Sequence, residues 1–144
     1  MAEVYHLLYV SEAPDSLNYS DLLEILKVAR DFNGKNQISG VLIYRDGFFI
    51  QLLEGNKTKI DQLMNNIKKD PRNHSLRILI ESESPERIFG EWSMAFIDGD
   101  LSINETSDLI ELFELATQFN HTQKELIMPM LKKFRQSLPT VSAN

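Results

Sequence analysis

The stretch Ile38-Ser39-Gly40-Val41-Leu42-Ile43-Tyr44-Arg45-Asp46-Gly47-Phe48-Phe49-Ile50-Gln51-Leu52-Leu53-Glu54 decides how this chain folds. Two apolar runs flank Asp46-Gly47, a dipeptide suited to the positive φ angles of a two-residue hairpin turn. The stretch therefore predicts antiparallel strands over residues 38–45 and 48–54. Alternate residues of a strand share a face, so Gln51 lies between Phe49 and Leu53. Phe48, Ile50 and Leu52 make the opposite face apolar as well, so neither side of this strand looks wet. A buried amide without partners costs about 1–3 kcal/mol, and it carries both donors and acceptors. Gln51 therefore calls for a side-chain partner or a ligand.

Outward from the hairpin, Val4 to Val10 predicts a first strand, with Tyr5, Leu7 and Tyr9 on one face. Ser11 to Tyr19, which contains Pro14, is expected to be a loop. Ser20 is a candidate N-cap with Asp21 in the first turn, and Leu22, Ile25, Leu26, Ala29 and Phe32 recur at helical spacing. Asn33-Gly34 is expected to end that helix. Asn56 is the candidate cap of a second helix with the stripe Ile60, Leu63, Met64 and Ile67, stopped at Asp70-Pro71. Leu76 to Glu81 predicts a fourth strand and Trp92 to Ile97 a fifth. The tail from Ser102 carries a helical stripe (Leu109, Leu112, Phe113, Ala116), and Thr122 with Glu125 has the form of a capping box. Pro129 is expected to kink or restart the last helix.

That order, β-α-β-β-α-β-β, is an α+β, ferredoxin-like plan with an added strand. It implies a mixed five-stranded sheet with two helices on one face. The central strands are apolar on both sides, so the other face needs cover too, and the C-terminal helical pair is the candidate. The expected division is a domain over residues 1–98 and a helical extension over 99–144 packed on the sheet.

Composition narrows the function classes. The 144 residues include 42% hydrophobic and 25% charged positions, as in an ordinary globular domain with a core. Net charge is -6, and the 15 Lys and Arg are scattered, which argues against a nucleic-acid surface. With no cysteine, disulfide and thiolate chemistry are excluded. His6, His74 and His121 lack metal-ligand spacing, so no metal is expected. No basic-then-apolar leader is visible, and no run approaches the roughly 20 apolar residues of a membrane span. The expectation is a soluble cytoplasmic protein without membrane or nucleic-acid partners.

The residues themselves suggest a pocket. Tyr9 and Gln51 fall on the two strands expected to pair in mid-sheet, which brings a hydroxyl and an amide into an apolar layer. Asn33 shares the helical stripe of Ile25 and Ala29, and Ile67 carries matching apolar surface on the second helix. Ile25 and Ile67 could clamp a flat ring, with Asn33 and Gln51 reaching its polar edge. Each residue also has a plainer reading: a core tyrosine, a helix-ending asparagine, amphipathic isoleucines, and Trp92 and Met94 as packing. Gln51 is the exception, because an apolar residue would pack better there. These features point to a small-molecule pocket and leave the ligand unnamed.

The chain resembles the BLUF family of flavin-binding blue-light sensors over roughly residues 4 to 98. The matching stretches are Leu7-Leu8-Tyr9-Val10-Ser11, Asn33 followed by Ile38-Ser39-Gly40-Val41-Leu42, and Phe49-Ile50-Gln51-Leu52-Leu53-Glu54-Gly55. Asp70-Pro71-Arg72-Asn73-His74 and Trp92-Ser93-Met94 complete the set. Phe32 departs from the asparagine that many members carry there. The resemblance implies FAD held between the two helices, its ring flanked by Ile25 and Ile67 and hydrogen-bonded by Asn33. It further implies that Tyr9 donates an electron and then a proton, and that Gln51 bridges tyrosine and flavin through an amide that rearranges. It places Arg72 and His74 along the ribityl side, and Trp92 and Met94 on the strand that shifts with the signalling state. The residues alone do not separate FAD from FMN.

On this reading the chain is a photoreceptor and not an enzyme, since the tail is too short for a further catalytic domain. Its output would be light-dependent binding of a downstream signalling protein, with homo-oligomerisation. Two alternatives fit the residues less well. An acylphosphatase-type enzyme would need a Gly-rich anion loop after the first strand, where Ser11-Glu12-Ala13-Pro14-Asp15 offers two acids and no glycine. A flavin-free adaptor would have no use for the buried polar pair Tyr9 and Gln51.

Overall fold

In a computed structural model, residues 3–45, 47–90, 94–98 and Pro129 are described. The elements are β1 (Val4–Glu12), α1 (Tyr19–Lys35), β2 (Ser39–Arg45), β3 (Phe48–Gly55), α2 (Lys57–Lys69), β4 (His74–Ser84) and β5 (Ala95–Asp98). The hairpin forms as its sequence dictates: Arg45 stands opposite Phe48, and Gly47 takes φ 79°, which a side chain would resist. Strand order is β4-β1-β3-β2-β5. β1 pairs antiparallel with both β3 and β4, and β2 pairs antiparallel with β3. This α+β arrangement, an antiparallel four-strand core with two helices, agrees with the sequence expectation. β5 runs parallel to β2 at the edge, Val41 opposite Ala95. Gly40 is tightly enclosed: a Cβ there would lie 2.0 Å from the Leu52 carbonyl oxygen.

Both helices pack on the sheet face that carries Tyr5, Leu7, Tyr9, Phe49 and Leu53. Ile60, Leu63 and Met64 supply the buried stripe of α2, each stabilising the fold by about 1.5–3 kcal/mol relative to exposure. The other face is equally dry, with Leu8, Val10, Ile43, Ile50 and Leu52 buried. Beyond residue 98 only Pro129 is described, helical and exposed. The expected helical extension over 99–144, its capping box and Trp92 therefore lie outside the described residues.

Several boundaries differ from expectation, for local reasons. Asn18, not Ser20, caps α1: its side chain accepts from Asp21 N–H while the Asp21 carboxylate accepts from Asn18 N–H, a reciprocal capping box. Asn33-Gly34 does not end α1. The helix runs one residue past the glycine, Asn36 is the C-cap, and Gln37 takes the left-handed position at φ 56°. β1 continues through Glu12 because its last residues still pair with β3, so the loop after it is shorter. β4 is longer than expected at both ends because it follows β1 along its length. β5 begins at Ala95, just after Met94. Asn56 caps α2 and Asp70 ends it, as the sequence indicates.

Candidate functional site

The register of β1 and β3 sets Tyr9 directly opposite Gln51. Their side chains point to the helix-covered face, where the Tyr9 hydroxyl donates to Gln51 Oε1. Both residues are 4% exposed. Gln51 Nε2 donates in turn to the thioether of Met94, at 3.6 Å, a soft and weak acceptor. Met94 is itself held through its backbone, since Arg30 Nε donates to its carbonyl at 3.1 Å. Tyr9, Gln51 and Met94 thus form one buried polar chain from β1 through β3 to the residue preceding β5.

Above this chain the two helices part to leave a cavity. Tyr9, Gln51, Leu42 and Phe49 form its floor, Ile25, Ala29 and Phe32 one wall, and Leu63 and Ile67 the other. The space, open mouth included, is about 740 Å³. Asn66, Asp70, Arg72 and Asn73 border it where α2 ends. Arg72 pairs with Asp70 through Nη2 at 2.8 Å and Nε at 3.0 Å, and its Nη1 lies 3.5 Å from Glu24 Oε1 on α1. It thereby links the end of one wall to the other. Asn73 Nδ2 donates to the Ile67 and Asp70 carbonyls, closing the C-terminus of α2.

The electrostatics keep the floor neutral and the mouth charged. Burial, and secondarily the Asp70 charge, push the Tyr9 hydroxyl well above the ordinary phenol range, so it stays protonated. The Arg72 guanidinium holds the Asp70 carboxyl below its usual range despite partial burial. The floor accordingly offers a neutral phenol bonded to an amide, and the mouth offers a guanidinium.

A flavin fits this donor set. Flat apolar walls oppose each other across the cavity. Among the described residues Gln51 has one N–H bonded to Met94, which leaves the other for whatever lies above the floor. Arg72 is the one cation bordering the space, among the described residues.

Of the residues singled out in the sequence, Tyr9, Ile25, Gln51, Ile67 and Arg72 border this one cavity. Met94 touches the Gln51 amide from the side. Asn33 is fully buried near the end of α1 and is not part of the lining; its carbonyl accepts from Asn36 and Ile38. His74 opens β4, exposed, with Nδ1 3.1 Å from Ser75 Oγ, and does not border the cavity. Sequence reasoning missed Asn66 and the pairing of Asp70 with Arg72. It read Asp70 as a helix stop and as the start of a matching motif, although its spacing from Leu63 and Ile67 also puts it on their face. Among the described residues no cluster of His, Asp and Glu is arranged to hold a metal ion. No described helix is long and apolar enough to cross a membrane.

Comparison with known proteins gives a consistent picture. The family described as sensors of blue-light using FAD, BLUF, matches residues 4–95. The photoactivated adenylate cyclase subunit beta of Euglena gracilis is 29% identical over 116 residues, covering 79% of this chain and 14% of that protein. The blue light- and temperature-regulated antirepressor BluF of Escherichia coli (strain K12) is 26% identical over 130 residues, covering 89% of this chain and 32% of the relative. This chain thus spans under a third of either protein's length. The solved structure of BlsA in its photo-activated state superposes with a TM-score of 0.77 at 28% identity, over 96% of this chain and 99% of that one.

Proposed function

The chain belongs to the BLUF family of blue-light sensors using FAD, and we propose that it is a photoreceptor whose switch is the Tyr9–Gln51–Met94 chain. Bound between α1 and α2, FAD supplies blue-light absorption and, once excited, an electron acceptor. Ile25 and Ile67 would hold its ring, Gln51 would hydrogen-bond its polar edge, and Arg72 would receive its phosphates, all four bordering the cavity. Asn33 and His74, which do not border the cavity, would reach the flavin only after side-chain movement. Tyr9 would supply an electron to the flavin and pass its phenolic proton along its hydrogen bond to the Gln51 oxygen. Gln51 would hand a proton on to the flavin from its nitrogen, and both would return by the same route in the dark.

Gln51 records that event. In the arrangement described, its carbonyl oxygen accepts from Tyr9 and its nitrogen donates to Met94 sulfur. Rotation of the amide would turn its nitrogen toward the Tyr9 oxygen and its carbonyl toward the sulfur, reversing the first bond and removing the second. Tautomerisation would instead move a proton from nitrogen to oxygen and make that oxygen a donor toward Tyr9. Two alternative bond sets in a dry layer make a bistable element. Met94, and Trp92 before it, carry the change toward β5 and the tail, where it alters the binding of a downstream signalling protein and of further copies of the chain. Catalysis, on this reading, belongs to the partner.

The buried Tyr9–Gln51 pair on the cavity floor is the observation that carries this reading. Absorption spectra of the FAD-loaded protein, recorded in the dark and just after blue light, test it. A small red shift that decays in the dark is expected, and neither Tyr9→Phe nor Gln51→Leu should show it. A protein that refuses FAD, or whose flavin spectrum ignores light, would overturn the proposal.

A further inference from the structure

On the sheet face opposite the cavity, a carboxylate is buried with His6: both side chains are 0% exposed. Glu54 Oε1 accepts from Phe89 N–H at 2.8 Å and from Ser39 Oγ at 3.1 Å. Oε2 accepts from Ile88 N–H and lies 3.1 Å from His6 Nε2. Arg87 Nη1 donates to Ser39 Oγ at 3.0 Å and to the Glu54 carbonyl at 3.2 Å. None of these groups borders the cavity. A buried charge is costly to retain without a task, and two of this carboxylate's four partners are the Ile88 and Phe89 amides. Arg87 holds the Glu54 backbone carbonyl, so the segment Arg87 to Phe89, which leads to Met94, is tied to β3.

We propose that Glu54 is a positioning residue for the light switch: by gripping the Ile88 and Phe89 amides it fixes where Met94 meets Gln51. Gln51 and Glu54 are three residues apart on β3 and on opposite faces, so one strand holds both ends of the Phe89–Met94 stretch. Arg30, on the Met94 carbonyl, is the second clamp. The anchored stretch keeps the thioether under the Gln51 N–H and so favours the dark amide arrangement. Weakening the grip lets Met94 leave and changes how fast that arrangement is regained.

The inference rests on the photoreceptor reading, and the wild-type spectrum separates the two. No light-induced shift in the wild type sinks that reading whatever Glu54 does. With the shift present, dark recovery is measured for Glu54→Gln, Met94→Leu and the double variant. Gln at 54 turns one acceptor into a donor facing an amide N–H. Recovery should then change by roughly fivefold, the worth of one hydrogen bond, while FAD binding and the dark spectrum are kept. If Glu54 acts through Met94, the double variant recovers at the Met94→Leu rate. Recovery of Glu54→Gln at the wild-type rate, or changes that multiply in the double variant, would overturn the proposal.

A flavin-free readout runs beside it. Trp92, the chain's single tryptophan, lies two positions before Met94 in sequence. Its emission should shift in flavin-free Glu54→Gln, and an unchanged emission counts against the anchor. If Glu54→Gln does not fold, Ser39→Ala removes one donor to the carboxylate and the acceptor of Arg87, and the same outcomes apply to it.

Discussion

Tyr9 and Gln51 are register partners across β1 and β3, and the same two side chains close a hydrogen bond at the floor of the cavity. Because they are directly opposed, the sheet itself sets their separation. In an antiparallel pair, opposed side chains on one face stand about 4.5–5.5 Å apart at Cβ, within reach of a phenol and a long amide. The Tyr9–Gln51 pair therefore needs no loop to assemble it.

This opposition predicts an uneven mutational response. Tyr9→Phe leaves the Gln51 oxygen buried without a donor and should lower dark-state stability by about 1–3 kcal/mol. Gln51→Leu strands the Tyr9 hydroxyl at a similar cost. The double variant replaces both partners with apolar groups, so it should be more stable than the sum of the single losses implies. Urea unfolding of the four proteins measures this, and simple additivity would mean that the pair is not coupled.

Acid should loosen the second face of the sheet. Burial alone would raise the Glu54 carboxyl, but its hydrogen bonds with His6 and the Ile88 and Phe89 amides outweigh this and lower it from its ordinary 4.5. A lowered folded-state pKa means that the unfolded chain takes up the proton first. The stabilisation is therefore complete above about 4.5 and lost as pH falls through the lower, folded value. Asp70, lowered by Arg72, contributes in the same direction. Unfolding midpoints between neutral pH and pH about 3 should fall more gently in Glu54→Gln than in the wild type, with the Asp70 part of the slope remaining. An unaltered slope would show that Glu54 does not titrate in this window.

The hairpin was legible because a period of two needs only local sequence to assign faces, and the Tyr9–Gln51 pairing because the ferredoxin-like strand order makes β1 and β3 neighbours. The stripes of α1 and α2 were legible for the analogous reason. The boundaries were less so. Asn18 and Ser20 are both competent caps, and what separates them is that Asp21 stands three residues after Asn18 and completes the reciprocal bonds. Gly34 misled because a helix tolerates a glycine when the next residues can carry its exit, here Asn36 and Gln37. The Arg72–Glu24 contact and the grip of Glu54 on Ile88 and Phe89 join residues far apart in the chain. No periodicity encodes such contacts. His74 rested on resemblance alone, which carries roles and not geometry. Asn33 rested also on its helical spacing from Ile25 and Ala29, which gives a face but not the depth at which the side chain is buried.

The capping box gives a direct comparison. Asn18→Ala removes the acceptor for Asp21 N–H and should cost about 1 kcal/mol. Ser20→Ala, inside the first turn, should stay within about 0.5 kcal/mol of wild type. Urea unfolding of the two variants distinguishes them. Equal losses would return the helix start to Ser20. Since α1 forms one wall of the cavity, the Asn18 variant should also bind flavin more weakly at temperatures where that first turn frays.

Arg72 permits a test that separates charge from shape. Its guanidinium is held between Asp70 and Glu24 at the cavity border, so a diphosphate arriving there competes with two carboxylates. Arg72→Ala removes the cation and leaves both acids, and it should weaken FAD by about tenfold, roughly 1.4 kcal/mol. Riboflavin, which has the ring and ribityl chain but no phosphate, should be almost unaffected. Asp70→Asn works in the opposite direction: it removes a competing charge, frees Arg72 and should tighten FAD without helping riboflavin. Fluorescence titration of both ligands with the three proteins reads these differences. Equal weakening of FAD and riboflavin in Arg72→Ala would mean that the residue acts only by bridging α1 and α2, with the phosphates bound elsewhere.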